Sequence, residues 1–155
     1  LFCGYGYAKP VGVKPRNLKK TKKGMAITAL AGPAANLLMG FVFITGSVFM
    51  SNLVKIPTII HYAIYNFLMF AGVLNVNLAV FNLLPIPPLD GSRLLTALLP
   101  SKYYYKIMQY ERYIMIGLFV LLFTGILTTP LSFLSSLILG LFSNITQIPF
   151  EMMMR

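Results

Sequence analysis

Long apolar runs without charged side chains dominate this 155-residue sequence. Residues 24–50 carry no charge, and residues 58–84 carry none apart from the single histidine, His61. As an α-helix each run would be about 40 Å long at about 1.5 Å per residue, whereas the hydrocarbon core of a bilayer is about 30 Å thick. The pattern therefore predicts membrane-spanning helices over 24–50 and 58–84.

Two further apolar runs follow in the second half of the chain. The run over 113–129 predicts a third span, and we expect Pro130 to end it because proline disrupts a helix interior. The run over 131–148 contains several serines, so it predicts either a fourth span or a helix that lies in the membrane interface. The expected fold is all-α: one polytopic transmembrane helical bundle over residues 1–155, with about four membrane helices.

Composition excludes an ordinary soluble domain. The sequence is 57% hydrophobic with a mean hydropathy of +0.77, and only 10% of its residues are charged. Soluble domains have about 25% charged residues. A soluble chain of this length could not bury so much apolar surface, so the expected surroundings are a lipid bilayer.

The charge balance is strongly basic, with a net charge of +10 from 13 Lys and Arg against three acids. Seven of the positive charges lie within residues 1–23, where glycines and prolines predict a loop or hairpin at the membrane edge. A basic chain can bind nucleic acid. Here the charges flank apolar runs, which favours the anionic inner membrane surface as their partner and no nucleic acid.

The distribution of positive charges also predicts an orientation. Seven precede the first span, one lies between the first and second, four lie between the second and third, and none lies between the third and fourth. Cytoplasmic loops carry the Lys/Arg excess. We therefore expect the N-terminal segment and the loop after residue 84 on the cytoplasmic side, and four spans would place both chain ends there.

Asp90 is the leading candidate for chemistry, because an acid between apolar stretches near membrane depth is costly and often functional. Gly91 permits a sharp bend directly after it. Three prolines stiffen the approach by fixing φ: Pro85, Pro87 and Pro88. Two interpretations remain open on these grounds. Asp90 is either a metal ligand or the N-cap of a short helix over 92–99.

Polar side chains inside the predicted spans form a second group of candidates. Asn36 follows Gly32 and Pro33 in the first span, where it must face inward and either bonds a neighbouring helix or supports a site. Asn75 and Asn82 are seven residues apart and share a helix face, which could line a cavity or join helices. The tyrosines between Lys102 and Lys106 predict an interfacial aromatic anchor with basic flanks.

Three motifs together resemble the site-2 protease family, the membrane-embedded zinc metallopeptidases. Residues 82–91, Asn-Leu-Leu-Pro-Ile-Pro-Pro-Leu-Asp-Gly, resemble the family's N-x-x-P…L-D-G motif. Residues 29–36 resemble the A-G-P-x-x-N segment of compact bacterial and archaeal members. Residues 6–17 resemble their G-W-A-K-P-V-x-V-x-P-R-N loop, with Tyr7 in place of Trp. The motifs occur in the family's order.

The resemblance implies a specific activity, namely hydrolysis of peptide bonds in membrane-protein or transmembrane-peptide substrates at a Zn²⁺ ion. In the family, two histidines of an H-E-x-x-H motif and the aspartate of L-D-G hold the zinc, so Asp90 matches the third ligand. The remaining motif positions are expected to support the site or position the substrate: Asn36, Asn82, Pro85, Pro88 and Gly91. The implied location is the cell membrane of a bacterium or archaeon, with the Asp90 loop on the cytoplasmic side.

One departure from the family is serious, since no H-E-x-x-H occurs in these 155 residues. The family has that motif upstream of the loop that residues 6–17 resemble. We therefore expect the chain to be the C-terminal portion of such a protease, with the general-base glutamate upstream of Leu1, and to be inactive as written. The alternatives are an inactive scaffold that binds a partner's transmembrane helix, and a small transporter that uses Asn75, Asn82 and Asp90.

Overall fold

The computed structural model describes residues 21–53, 58–95 and 101–153, and every regular element within these ranges is helical. This confirms the all-α class. The elements are five α-helices and one short 3₁₀ helix over Asp90–Leu94; the α-helices are α1 (Thr21–Leu53), α2 (Ile59–Asn82), α3 (Ser101–Gln109), α4 (Glu111–Phe123) and α5 (Thr128–Met153). The predicted basic loop lies outside the described residues except for 21–23, which open α1.

Helix α1 runs without a break through Pro33, whose side chain is fully buried. Its hydroxyl side chains bond to carbonyls of their own helix, as in the bond of 2.8 Å from Thr45 Oγ1 to the Phe41 carbonyl. Such bonds satisfy polar groups where no water is present. Helix α2 begins after Thr58, whose side chain accepts a hydrogen bond from the His61 N–H and caps the helix.

Helices α1 and α2 form an antiparallel pair that crosses at two glycines. A Cβ on Gly40 would lie 2.9 Å from Val76 Cγ2, and a Cβ on Gly72 would lie 2.7 Å from Ile44 Cδ1. Ser47 is also within 3.9 Å of Met69 through their Oγ and Sδ atoms. These contacts fix the register of the pair, and small residues permit the close approach of the two backbones.

Helix α5 packs against both members of this pair, so α1, α2 and α5 together form the core. The rings of Phe41 on α1 and Phe142 on α5 meet edge to face, with centroids 5.2 Å apart. The start of α5, at Thr128, lies beside the C-terminal end of α2 at Phe81, where both line one groove. Helix α5 therefore runs antiparallel to α2.

Three of the described helices are long and apolar enough to cross a membrane: Gly24–Asn52, Ile59–Asn82 and Thr128–Pro149. Large apolar side chains cover the outer surfaces of these helices. Ile27, Phe67 and Phe70 are examples, and each is at least 66% exposed when no lipid surrounds the chain. Exposed apolar area on this scale marks a lipid-facing surface. The polytopic helical class predicted from the sequence is thus confirmed.

The structure differs from the predicted count of about four membrane helices. The segment 113–129 is not one continuous helix, because α4 ends at Phe123 and a turn occupies 124–127. Gly125 adopts the left-handed conformation there, with φ of 78°. Pro130 was expected to break the chain, but it lies in the first turn of α5, where proline removes no helical hydrogen bond. At 13 residues α4 is only about 20 Å long.

A three-span arrangement predicts on which side of the membrane residues 111 and 152 lie. Because α2 ends and α5 begins on the same side, residue 111 and residue 152 should lie on opposite sides of the membrane. We expect an impermeant maleimide to label Glu111→Cys and Met152→Cys from opposite faces of sealed vesicles, with Cys3→Ser as the background. Labelling of both positions from the same face would instead support a fourth span.

Candidate functional site

The connection after α2 is a series of tight turns. The Leu83 N–H donates to the Ala79 carbonyl at 3.0 Å and ends the helix. The Ile86 N–H then donates to the Leu84 carbonyl at 2.8 Å, and the Leu89 N–H donates to the Ile86 carbonyl at 2.9 Å. The peptide bond between Pro87 and Pro88 is cis. The chain thus reaches Asp90 by a compact series of hydrogen-bonded turns.

Gly91 packs directly against the end of α2. It is buried, and a Cβ at this position would lie 2.5 Å from the carbonyl oxygens of both Leu83 and Leu84. Only a residue without a side chain fits this contact. The next residue, Ser92, is also buried, and its Oγ donates to the Leu89 carbonyl at 2.7 Å. The corner is therefore held to α2 by backbone contact and to itself by a short hydrogen bond.

Asp90 is the first residue of the 3₁₀ helix and is half-buried. Leu89 occupies the N-cap position, and no side chain caps the helix there. Asp90 is therefore not the N-cap of this 3₁₀ helix, and the predicted helix over 92–99 extends past residue 95, where the described residues stop. Its carboxylate instead faces α1, where a Cβ on Gly32 would lie 3.2 Å from Asp90 Oδ2. Among the described residues no hydrogen bond or ion pair engages this carboxylate.

The two motif asparagines lie at nearly the same depth. Gly40 opposite Val76 and Ile44 opposite Gly72 define the register, and one further step of four residues places Asn36 opposite Val80, two residues from Asn82. Both asparagines are half-buried, and within the described ranges neither side chain makes a hydrogen bond. The interhelical bond considered for Asn36 is thus not present.

The three prolines in the loop after α2 differ in how far they are buried. Pro85 and Pro88 are exposed, whereas Pro87, to which no separate role had been assigned, is buried. Gly32, to which the sequence analysis gave no role, lies beside Asp90. This contact had a signal in the sequence, because a glycine in a membrane helix can mark the close approach of another group. Asn75 donates to the Ala71 carbonyl at 2.8 Å within α2.

The described residues do not hold a metal ion by themselves. They contain no group of three or more His, Cys, Asp or Glu side chains within reach of one ion. The donor chemistry fits one ligand, because the Asp90 carboxylate has no partner within the described part of the chain and zinc accepts such oxygens. His61 cannot join it. It lies at the opposite end of the 24-residue helix α2, about 30 Å away.

Comparison with known proteins identifies relatives of this chain. Residues 50–125 match the family model "Peptidase family M50". "Putative zinc metalloprotease YwhC" of Bacillus subtilis (strain 168) is 34% identical over 125 residues, which cover 80% of this chain and 57% of the relative. "Zinc metalloprotease MJ0392" of Methanocaldococcus jannaschii is 33% identical over 96 residues, 62% of this chain and 26% of the relative. No solved structure matches the chain.

These matches define the class of the protein, which is an integral membrane protein related to zinc metalloproteases. Residues 50–125 match the model of the site-2 protease family, which confirms the resemblance predicted from the sequence motifs. The chain spans little more than half the length of one of these relatives and about a quarter of the other.

Proposed function

We propose that this chain forms part of an intramembrane zinc metalloprotease that hydrolyses peptide bonds of membrane-protein substrates, with Asp90 as a zinc ligand. One observation carries the proposal. Asp90 is half-buried, its carboxylate lies against Gly32 of α1, and no described residue hydrogen-bonds or ion-pairs with it. An acid in this setting is expensive unless a cation or a proton compensates it. A metal ion supplies that compensation.

The chain's own residues would position this ligand. Gly91 fixes the backbone of the corner against Leu83 and Leu84, and the missing side chain at Gly32 leaves space for the carboxylate. Asn36 and Asn82 lie near the same depth with unengaged amides, which can donate to and accept from the backbone of an extended peptide. We assign Pro85 and Pro88, both exposed on the loop, to support of the same substrate surface.

Zinc, when bound, would lower the pKa of a coordinated water to about 7 and so supply a nucleophile at neutral pH. The single histidine of this sequence cannot supply the other ligands. We propose that two histidines and a general-base glutamate come from residues outside these 155, since the matched relatives are longer. The proposed location is a bacterial or archaeal cell membrane with Asp90 on the cytoplasmic side, which follows the charge distribution.

The test uses the protein expressed from its complete coding sequence. We expect one zinc per chain by elemental analysis and cleavage of a transmembrane peptide, which o-phenanthroline stops and added zinc restores. A complete coding sequence without H-E-x-x-H, or cleavage that persists after zinc removal, would contradict the proposal. A stable complex with a membrane partner and no turnover would favour a scaffold. Solute flux in liposomes would favour a transporter.

A further inference from the structure

Helices α3 and α4 share one continuous face that the proposed protease site does not use. The two helices are joined through Tyr110, whose N–H donates to the Ile107 carbonyl at 3.0 Å and whose carbonyl accepts from the Ile114 N–H at 2.9 Å. The face borders an open cavity of about 320 Å³ and consists of Tyr103, Lys106, Ile107, Tyr110 and Ile114. Their spacing of three or four residues places them on one side of a helix. We call this set the α3–α4 stripe.

The polarity of the stripe changes along its length. Its α3 end carries the Tyr103 ring and the Lys106 ammonium group, both exposed. Its α4 end carries Ile114, on a helix whose following residues are uncharged and include exposed side chains such as Phe119 and Phe123. Helix α4 is thus compatible with the hydrocarbon region and α3 is not. This change in polarity is typical of a segment at the membrane–water interface, where tyrosine and lysine are enriched.

Lys106 supplies the positive charge of the stripe. Among the described residues no carboxylate lies within ion-pair distance of its ammonium group. Glu111 is the nearest acid in sequence but does not line the cavity. A cation above an apolar cavity at the interface is complementary to an amphiphile with an anionic head and an apolar tail.

We propose that the α3–α4 stripe binds an anionic phospholipid, with the phosphate at Lys106 and the tyrosine hydroxyls, and an acyl chain over Ile107 and Ile114. The charge balance argues against two other occupants. A second copy of this chain, at net charge +10, or its own segment 1–23, with seven positive charges and no acid, would bring further cations toward Lys106. The inference is independent of zinc binding at Asp90.

The experiment is native mass spectrometry of the full 155-residue chain in detergent, titrated with dioleoyl phosphatidylglycerol or dioleoyl phosphatidylcholine. The variant is Lys106→Glu. The matched control is Arg112→Glu, because Arg112 is exposed, makes the same charge change and lies about 180° around the helix from the stripe. A basic residue near the surface contributes about 1 kcal/mol to binding of anionic lipid, which corresponds to about a fivefold change in affinity.

We expect phosphatidylglycerol to bind at least fivefold more tightly than phosphatidylcholine. Lys106→Glu should remove that preference and Arg112→Glu should retain it. Equal loss in both variants would show a general charge effect and overturn the site. Full displacement by inorganic phosphate would show a small-anion site, and a change in oligomeric mass caused by Lys106→Glu would show a contact between copies. Either result would also overturn the proposal. Circular dichroism checks that each variant retains its helix content.

Discussion

Asp90→Asn in the protein expressed from the complete coding sequence is expected to lower zinc affinity and peptide cleavage by about 100-fold or more. The substitution keeps the size of the side chain and removes the negative charge that a zinc ligand requires. Loss of a residue that merely orients a ligand already costs about 10–100-fold, so loss of a ligand should exceed that range. Zinc content by elemental analysis and the cleavage rate of a transmembrane peptide give two separate measurements.

The matched control for this prediction is Glu111→Gln, which makes the same chemical change at a second acid. Glu111 begins α4, is half-buried and lies 21 residues along the chain from Asp90. We expect wild-type zinc content and cleavage from this control. If Asp90→Asn retains full zinc, Asp90 is not a ligand. If zinc is retained and only cleavage is lost, Asp90 acts on the substrate instead.

Gly91→Ala is expected to destabilise the corner by about 3 kcal/mol, the upper part of the range for overpacking. The added methyl group would lie 2.5 Å from two backbone carbonyl oxygens, and these belong to the end of α2 rather than to a flexible side chain. Either the loop or the last turn of α2 must move. For a chain of this length such a loss corresponds to a fall in melting temperature of about 10 °C in detergent.

Gly140→Ala provides the comparison for the thermal measurement. Gly140 lies within α5, and a Cβ there would have no neighbouring atom within 4 Å. Alanine has a higher helix propensity than glycine by about 1 kcal/mol, so this variant should melt at the same temperature or slightly higher. Equal melting temperatures for Gly91→Ala, Gly140→Ala and the wild type would contradict the contact described at the corner.

The sequence predicted the first half of the fold well, because its signals are long and local. Helices α1 and α2 lie within a few residues of the predicted spans, and their ends follow from the loss of apolar character and from the cap at Thr58. The second half of the fold was harder to predict. Pro130 was expected to end the helix over 113–129. The break occurs instead at Gly125, and Pro130 lies in the first turn of α5. Proline is compatible with both positions, and hydropathy alone cannot distinguish them.

The candidate site was predictable as a set of residues but not as an arrangement. The sequence around Asp90 predicted a stiff approach and a bend, and the structure has a series of hydrogen-bonded turns and a closely packed Gly91 there. The neighbour of the carboxylate was not predictable, because the contact with Gly32 joins positions 58 residues apart and depends on the register of α1 against α2. The burial of Pro87 rather than its neighbours likewise depends on the tertiary path of the loop.

The crossing at Gly40 and Gly72 also sets the position of Gly32 relative to Asp90. Gly72 is ten residues from the end of α2, about 15 Å along the helix, and the two backbones approach closely there. A shift of α1 by one helical turn would move Gly32 by about 5.4 Å relative to the loop. A larger residue at the crossing would therefore change the surroundings of the carboxylate from a distance, by moving Gly32 away from it.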